Sequence, residues 1–136
     1  MSSLECFLKP DKSDEVIEVI ISKRFKDEKG KPATIKIKAI TEEQNNSIAK
    51  KCTIKEKNQR TGIVSEHLDR AKYMAELILA CVVEPNFKSE EFVTAMGTAD
   101  PVEALRKLFL PGEYTALSEK VLSVVGVEDI TETAKN

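Results

Sequence analysis

His67 is the single histidine of the chain, so Ser-His, Cys-His or multi-histidine metal chemistry would have to be assembled around it. Its neighbours Ser65 and Glu66, at the start of an expected helix, read it instead as an exposed polar residue of a first helical turn. Asp69 and Tyr73 stand four residues apart and can share a helix face, an arrangement typical of a surface or structural pair. The carboxylate pairs Glu42-Glu43 and Glu90-Glu91 fall in expected first turns, where acids favour the free N–H groups and the helix dipole. Cys6, Cys52 and Cys81 are odd in number and widely spaced. That spacing suits neither a disulfide framework nor a paired-cysteine metal site, and all three read as reduced thiols in small apolar roles. None of the five glycines belongs to a phosphate-cradling loop. No catalytic residue, metal ligand, cofactor or small-molecule substrate is therefore expected.

The chain has 136 residues, of which 41% are hydrophobic and 32% charged, with a net charge of −2. That is enough for one domain with a modest core. The longest apolar run, Leu77 to Val83, is far shorter than the roughly 20 residues that cross a bilayer, so no membrane span is expected. Nothing between Met1 and Asp14 resembles a secretory signal, and the cytoplasm is the expected compartment. Charge is polarised along the chain. Residues 23–60 hold twelve basic and five acidic side chains, whereas residues 84–136 hold five and ten. A basic surface could meet nucleic acid or an acidic protein. Phe25 is the lone aromatic residue of the basic region, so a base-stacking platform is missing and nucleic acid is the disfavoured partner.

The elements that would position these residues follow from periodicity and caps. Leu4, Phe7 and Leu8 suggest a helical turn, followed by a linker around Pro10; residues 1–15 are expected to be flexible. From Val16 the chain is β-branched, with Ile17, Val19 and Ile21 on one face of a strand running toward Phe25. The polar turn Lys26 to Pro32 leads to Ile35, Ile37 and Ala39 alternating with Lys36 and Lys38. The result is a hairpin over about 16–40 with one wet, basic face. Two strands alone are marginal, so helices or further strands must cover the other face.

Thr41 with Gln44 three residues on has capping-box spacing and starts a helix over about 42–52. Thr53 to Val64 is polar and aperiodic and reads as a loop. Leu68, Ala71, Ala75, Ile78, Leu79 and Val82 recur at helical spacing, predicting a central helix over about 66–83 that Pro85 terminates. Ser89 caps a short helix over about 90–96 closed by Gly97, and Asp100-Pro101 opens another over about 101–109. Pro111-Gly112 reads as a turn before a last helix over about 113–125, with Tyr114, Leu117, Val121 and Val124 facing inward and Gly126 at its end. Residues 127–136 are polar and expected to be a flexible tail. The expected fold is α+β, with residues 16–126 forming a single domain: an N-terminal β-hairpin packed on four to five helices.

Four ordered stretches carry a resemblance. Ile21-Ser22-Lys23-Arg24-Phe25-Lys26-Asp27-Glu28, with Gly30-Lys31-Pro32, is similar to the signature hairpin of the XkdN-like tail assembly chaperones of long-tailed phages and phage-like elements. Ala39 to Glu43 resembles that family's strand-to-helix junction, and Cys81 to Phe87 the end of its central helix. Leu110 to Tyr114, with Leu117, resembles the start of its last helix. The resemblance implies a non-enzymatic factor in the bacterial host cytoplasm that binds the tape measure protein, and tail tube subunits as a further partner. It would keep them soluble until the tube polymerises. A structural minor tail or connector component is the alternative. By residue type, two surfaces are candidates for the partner: the basic hairpin face (Lys23, Arg24, Lys36, Lys38) and the region around Tyr73, Phe87 and Tyr114.

Overall fold

The computed structural model of the chain describes residues 3–8 and 15–126, so the expected linker around Pro10 and the tail over 127–136 lie outside the described residues. The apolar cluster at the start forms the expected turn, α1 (Glu5–Leu8), with Leu4, Phe7 and Leu8 all exposed. Strands β1 (Val16–Val19) and β2 (Ile35–Lys38) pair antiparallel, with Val16 opposite Lys38 and Val19 opposite Ile35. The expected continuation of the first strand toward Phe25 does not occur. The Ser22 hydroxyl accepts from the Arg24 N–H at 3.0 Å, a local bond that competes with the ladder and turns the chain. The arms meet again at Phe25, whose carbonyl accepts from Ala33 N–H at 2.8 Å. Gly30, at φ 79°, supplies the left-handed step of the turn between them.

In β2 the period of two is complete. Ile35 and Ile37 are buried and Lys36 and Lys38 are half-buried on the other face. Helix α2 (Glu42–Lys51) opens with the expected capping box: Thr41 Oγ accepts from Gln44 N–H at 3.2 Å, and Gln44 Oε1 accepts from Thr41 N–H at 2.8 Å.

The expected loop after it is a second hairpin. Strands β3 (Thr53–Lys57) and β4 (Val64–Leu68) pair residue for residue, with Thr53 opposite Leu68 and Lys57 opposite Val64. Asn58 closes the turn: its side chain accepts from Arg60 and Thr61 N–H at 2.8 and 3.2 Å, and its carbonyl accepts from Gly62 N–H at 2.7 Å. The central helix accordingly starts later than expected. Asp69 caps α3 (Arg70–Cys81) by accepting from Lys72 N–H at 3.2 Å, so His67 and Leu68 are strand residues. Ala71, expected to face the core, is exposed.

Helix α3 also ends earlier, because Val82 turns to extended backbone and begins β5 (Val82–Glu84), which pairs antiparallel with β2. The hairpin thus becomes a three-stranded sheet in the order β1-β2-β5, with β2 central. Three helices follow: α4 (Glu90–Ala95) capped by Ser89, α5 (Pro101–Leu108) capped by Asp100, and α6 (Pro111–Val125). Gly97 and Gly126 stand at the expected ends of α4 and α6 with positive φ. Pro111 and Gly112, expected as a turn, are the first residues of α6. The Glu113 carboxylate accepts from Leu110 N–H at 2.8 Å and caps the helix from within.

Helix α3 lies at the centre, packed on α2, α5, α6 and β5. Ile37, Leu77, Ile78, Leu105, Leu117 and Val121 are fully buried in one cluster joining sheet and helices. Burying each such side chain contributes about 1.5–3 kcal/mol, which is what makes a three-stranded sheet of short strands sustainable. The β3-β4 hairpin stands apart: nine of its ten strand residues are exposed, and only Thr53 is half-buried. The architecture is α+β, a small antiparallel sheet on a predominantly helical body.

Candidate partner-binding site

An apolar pocket of about 340 Å³ opens where the ends of five segments meet. Ile21 and Phe25 come from the stretch after β1, Ala33 and Ile35 from the approach to β2, and Pro85 and Phe87 from the end of β5. Phe92 and Met96 of the α4 region and Leu108 and Phe109 at the end of α5 complete it. Pro85 follows a cis peptide bond from Glu84. The aromatic rings hold one another. Phe109 meets Phe25 edge-on at 5.7 Å and Phe87 edge-on at 5.9 Å, and Phe87 lies tilted 5.0 Å from Phe92. Edge-to-face pairs add about 0.5–1.5 kcal/mol each beyond area burial. Four of the chain's five phenylalanines are in this one place.

The wall between the first segment and α6 is fixed by an ion pair. Arg24 Nε donates to Glu113 Oε2 at 3.0 Å and Nη2 donates to Glu113 Oε1 at 2.6 Å and to the Leu108 carbonyl at 2.8 Å. The guanidinium also lies over the Phe25 ring, 4.4 Å from its centroid. The buried Glu113 carboxyl is held down at about 2, first by the Arg24 guanidinium, then by Ser22 and the Leu110 N–H, against the opposing effect of burial. One carboxylate therefore caps α6, anchors the segment carrying Ser22 and Arg24, and keeps Phe25 and Leu108 in position around the pocket.

The seven residues singled out in the sequence are dispersed. Phe87 is buried on the pocket floor, and Arg24 is the wall residue just described. Lys23 is exposed beside Ser22. Lys36 lies between Glu18 and Glu84, at 4.0 and 3.4 Å, so the expected basic hairpin face is neutralised at its centre. Lys38 sits half-buried on the same face. Tyr73 donates its hydroxyl to Asn45 Oδ1, tying α3 to α2, and burial pushes its pKa up. Tyr114 is half-buried on α6, where burial raises its pKa against the influence of Arg106. Of Tyr73, Phe87 and Tyr114, Phe87 alone lines the pocket.

Residue type and spacing alone do not single out Glu113, Phe25, Phe92, Met96 and Phe109 for this site. Glu113 carried a signal, since an acid three residues after Leu110 has capping-box spacing. Phe25 lies within the stretch that carries the family resemblance, whereas Phe92 and Phe109 have only the scarcity of phenylalanine to mark them.

His67 is exposed on β4 opposite Ile54. A polar cleft between α2, α3 and α5 contains Lys51, Asp69, Lys72, Glu76, Asp100 and Arg106. Its charges are largely engaged, with Lys51 on Glu76 at 3.1 Å and both aspartates acting as caps. Among the described residues no group of three or more His, Cys, Asp or Glu side chains could hold a metal ion, and no helix is long and apolar enough to cross a membrane.

A family described as "Phage XkdN-like tail assembly chaperone protein" matches residues 4–135 of the chain. The protein YqbN of Bacillus subtilis (strain 168) is 39% identical over 127 residues, covering 90% of this chain and 85% of YqbN. The phage-like element PBSX protein XkdN of the same organism is 36% identical over 137 residues, covering 96% and 92%. The crystal structure of YqbN superposes with a TM-score of 0.73 at 31% identity, over 93% of this chain and 98% of that one. The match spans the sheet, every helix that frames the pocket, and the second hairpin. This chain belongs to the XkdN-like phage tail assembly chaperone family.

Proposed function

We propose that this chain is a non-enzymatic chaperone of the host cytoplasm that binds the tape measure protein, and secondarily tail tube subunits, and keeps them soluble during tail assembly. The observation that supports this reading is the apolar pocket walled by Phe25, Phe87, Phe92 and Phe109. An amphipathic helix of a long, aggregation-prone partner presents apolar anchors at helical spacing, and a preformed apolar cavity is what such an anchor enters. Lys23, exposed beside the pocket residue Ser22, suits acids flanking that anchor. Chaperoning by burial needs no proton transfer, nucleophile or bound metal.

The test is co-expression with the tape measure protein of the same gene cluster, followed by size-exclusion chromatography. A soluble, co-eluting complex is expected, with the tape insoluble when expressed alone. A tape that stays insoluble in both cases overturns the reading.

A second reading, a structural tail or connector component, is favoured by the β3-β4 hairpin, whose outer edges pair with no other strand among the described residues. Such edges accept an added strand from a neighbouring subunit. Stoichiometric recovery of the chain in purified particles distinguishes this role from the first.

A further inference from the structure

Phe7 is the one phenylalanine outside the pocket, and it is 81% exposed in α1, between Leu4 at 62% and Leu8 at 66%. A helical turn carrying three apolar side chains into water is unfavourable unless a second surface covers it at least part of the time. We propose that the turn Ser3–Leu8 seats in the pocket of its own chain, with Phe7 entering among the four pocket phenylalanines, so that a partner's apolar anchor has to displace it. The seating itself does not depend on the chaperone reading; the displacement does.

Reach permits it. Eight peptide steps separate Leu8 from Val16, which extend to about 26–29 Å. Val16 to the pocket residue Ile21 is five steps, at most about 18 Å. β1 runs toward the pocket, because its last residue, Val19, lies opposite the pocket residue Ile35. The number of residues between Leu8 and Val16 is therefore sufficient for the turn to reach the cavity of the same molecule. Charge is compatible: Glu5 is the only charged residue from Leu4 to Leu8, and exposed Lys23 and Lys88 directly follow the pocket residues Ser22 and Phe87.

Cys6 makes the idea measurable, because it is exposed beside Phe7 whereas Cys52 and Cys81 are buried. A nitroxide attached to Cys6 of the full chain should broaden the amide signals of Ser22, Thr34 and Met96 and leave those of Lys55 and Glu66 on the second hairpin sharp. The same label in a Phe7→Ser variant should lose that broadening. Binding of anilinonaphthalene sulfonate to the unlabelled chain should tighten about tenfold in Phe7→Ser, the effect of removing one competing apolar anchor. Broadening confined to residues near the label, or unchanged by Phe7→Ser, overturns the proposal. So does broadening in a mixture of spin-labelled chain and isotope-labelled, unmodified chain, since that places the turn in a second copy. Phe7 is exposed, so its replacement leaves the fold intact.

Discussion

Arg24 and Glu113 are separated by 89 positions in the chain and joined by two hydrogen bonds, of 3.0 and 2.6 Å. Because Glu113 also caps α6 and Arg24 also holds the Leu108 carbonyl, this pair ties the stretch after β1 to the α5-α6 corner. Bidentate guanidinium-carboxylate geometry is specific as well as strong, and lysine could not reproduce it.

The pair makes stability depend on acid. The Glu113 carboxyl, at about 2, lies below the ordinary carboxylate value of about 4.3, so its contribution is complete above that value and is lost as pH falls from about 5 toward 2. Thermal melts of the native chain and Glu113→Gln at stepped pH are the check. The variant is expected to melt lower at pH 7, with the difference shrinking as pH approaches 2. A difference that stays constant with pH would mean that the carboxylate is not the linked group.

Caps and core are separable. Thr41→Ala removes the hydroxyl that accepts from Gln44 N–H and is expected to cost about 1 kcal/mol. Leu105→Ala or Leu117→Ala, at fully buried positions, is expected to cost about 2–5 kcal/mol. Urea titrations followed by circular dichroism measure both. Equal costs for the two classes would contradict the assignment of the core.

What was legible in the sequence divides along the same line. Thr41, Ser89, Asp100, Gly97 and Gly126 act on backbone groups within a few residues of themselves, so each could be read locally and each stands where expected. The second hairpin could not. Its strands carry only scattered apolar residues (Ile54, Val64 and Leu68) and owe their pairing to the ladder, to the Asn58 turn and to cross-strand contacts such as Lys55 on Glu66 at 3.6 Å, so no apolar alternation announces them. Leu68 fell into helical phase with the true helix by coincidence and lengthened the expected element. Val82 and Val83 extend an apolar run that suits a helix or a strand equally, and β2 decides it by offering a free edge. The pocket was the least legible feature, because its walls come from residues as far apart as Ile21 and Phe109 and meet only in the folded chain.

Thiol chemistry reports on burial. Cys6 is exposed, whereas burial raises the Cys52 thiol and pushes Cys81 up to about 11. One thiol per native chain is expected to react promptly with a disulfide reagent at neutral pH, and all three in denaturant. Prompt reaction of a second thiol in the native chain would place Cys52 or Cys81 outside the core.

The two hairpins should differ in dynamics. Amides of β3 and β4, in an exposed two-stranded ribbon, are expected to exchange with solvent orders of magnitude faster than those of Leu77 to Leu79 in α3. Hydrogen exchange followed by mass spectrometry resolves them. Comparable protection would require a covering surface for the ribbon in the free chain.

The central claim is that the pocket receives the tape measure protein, and the most direct test is co-purification of that protein with three forms of this chain. Met96→Arg puts a charge into the pocket wall, and Ile63→Arg changes an exposed residue of the second hairpin. After both variants are confirmed folded by melting, the native chain and Ile63→Arg are expected to bring the tape into the soluble fraction, while Met96→Arg recovers at least tenfold less, as the loss of about 1.4 kcal/mol or more requires. Equal recovery with Met96→Arg, or loss confined to Ile63→Arg, would contradict the account and move the binding surface away from the pocket.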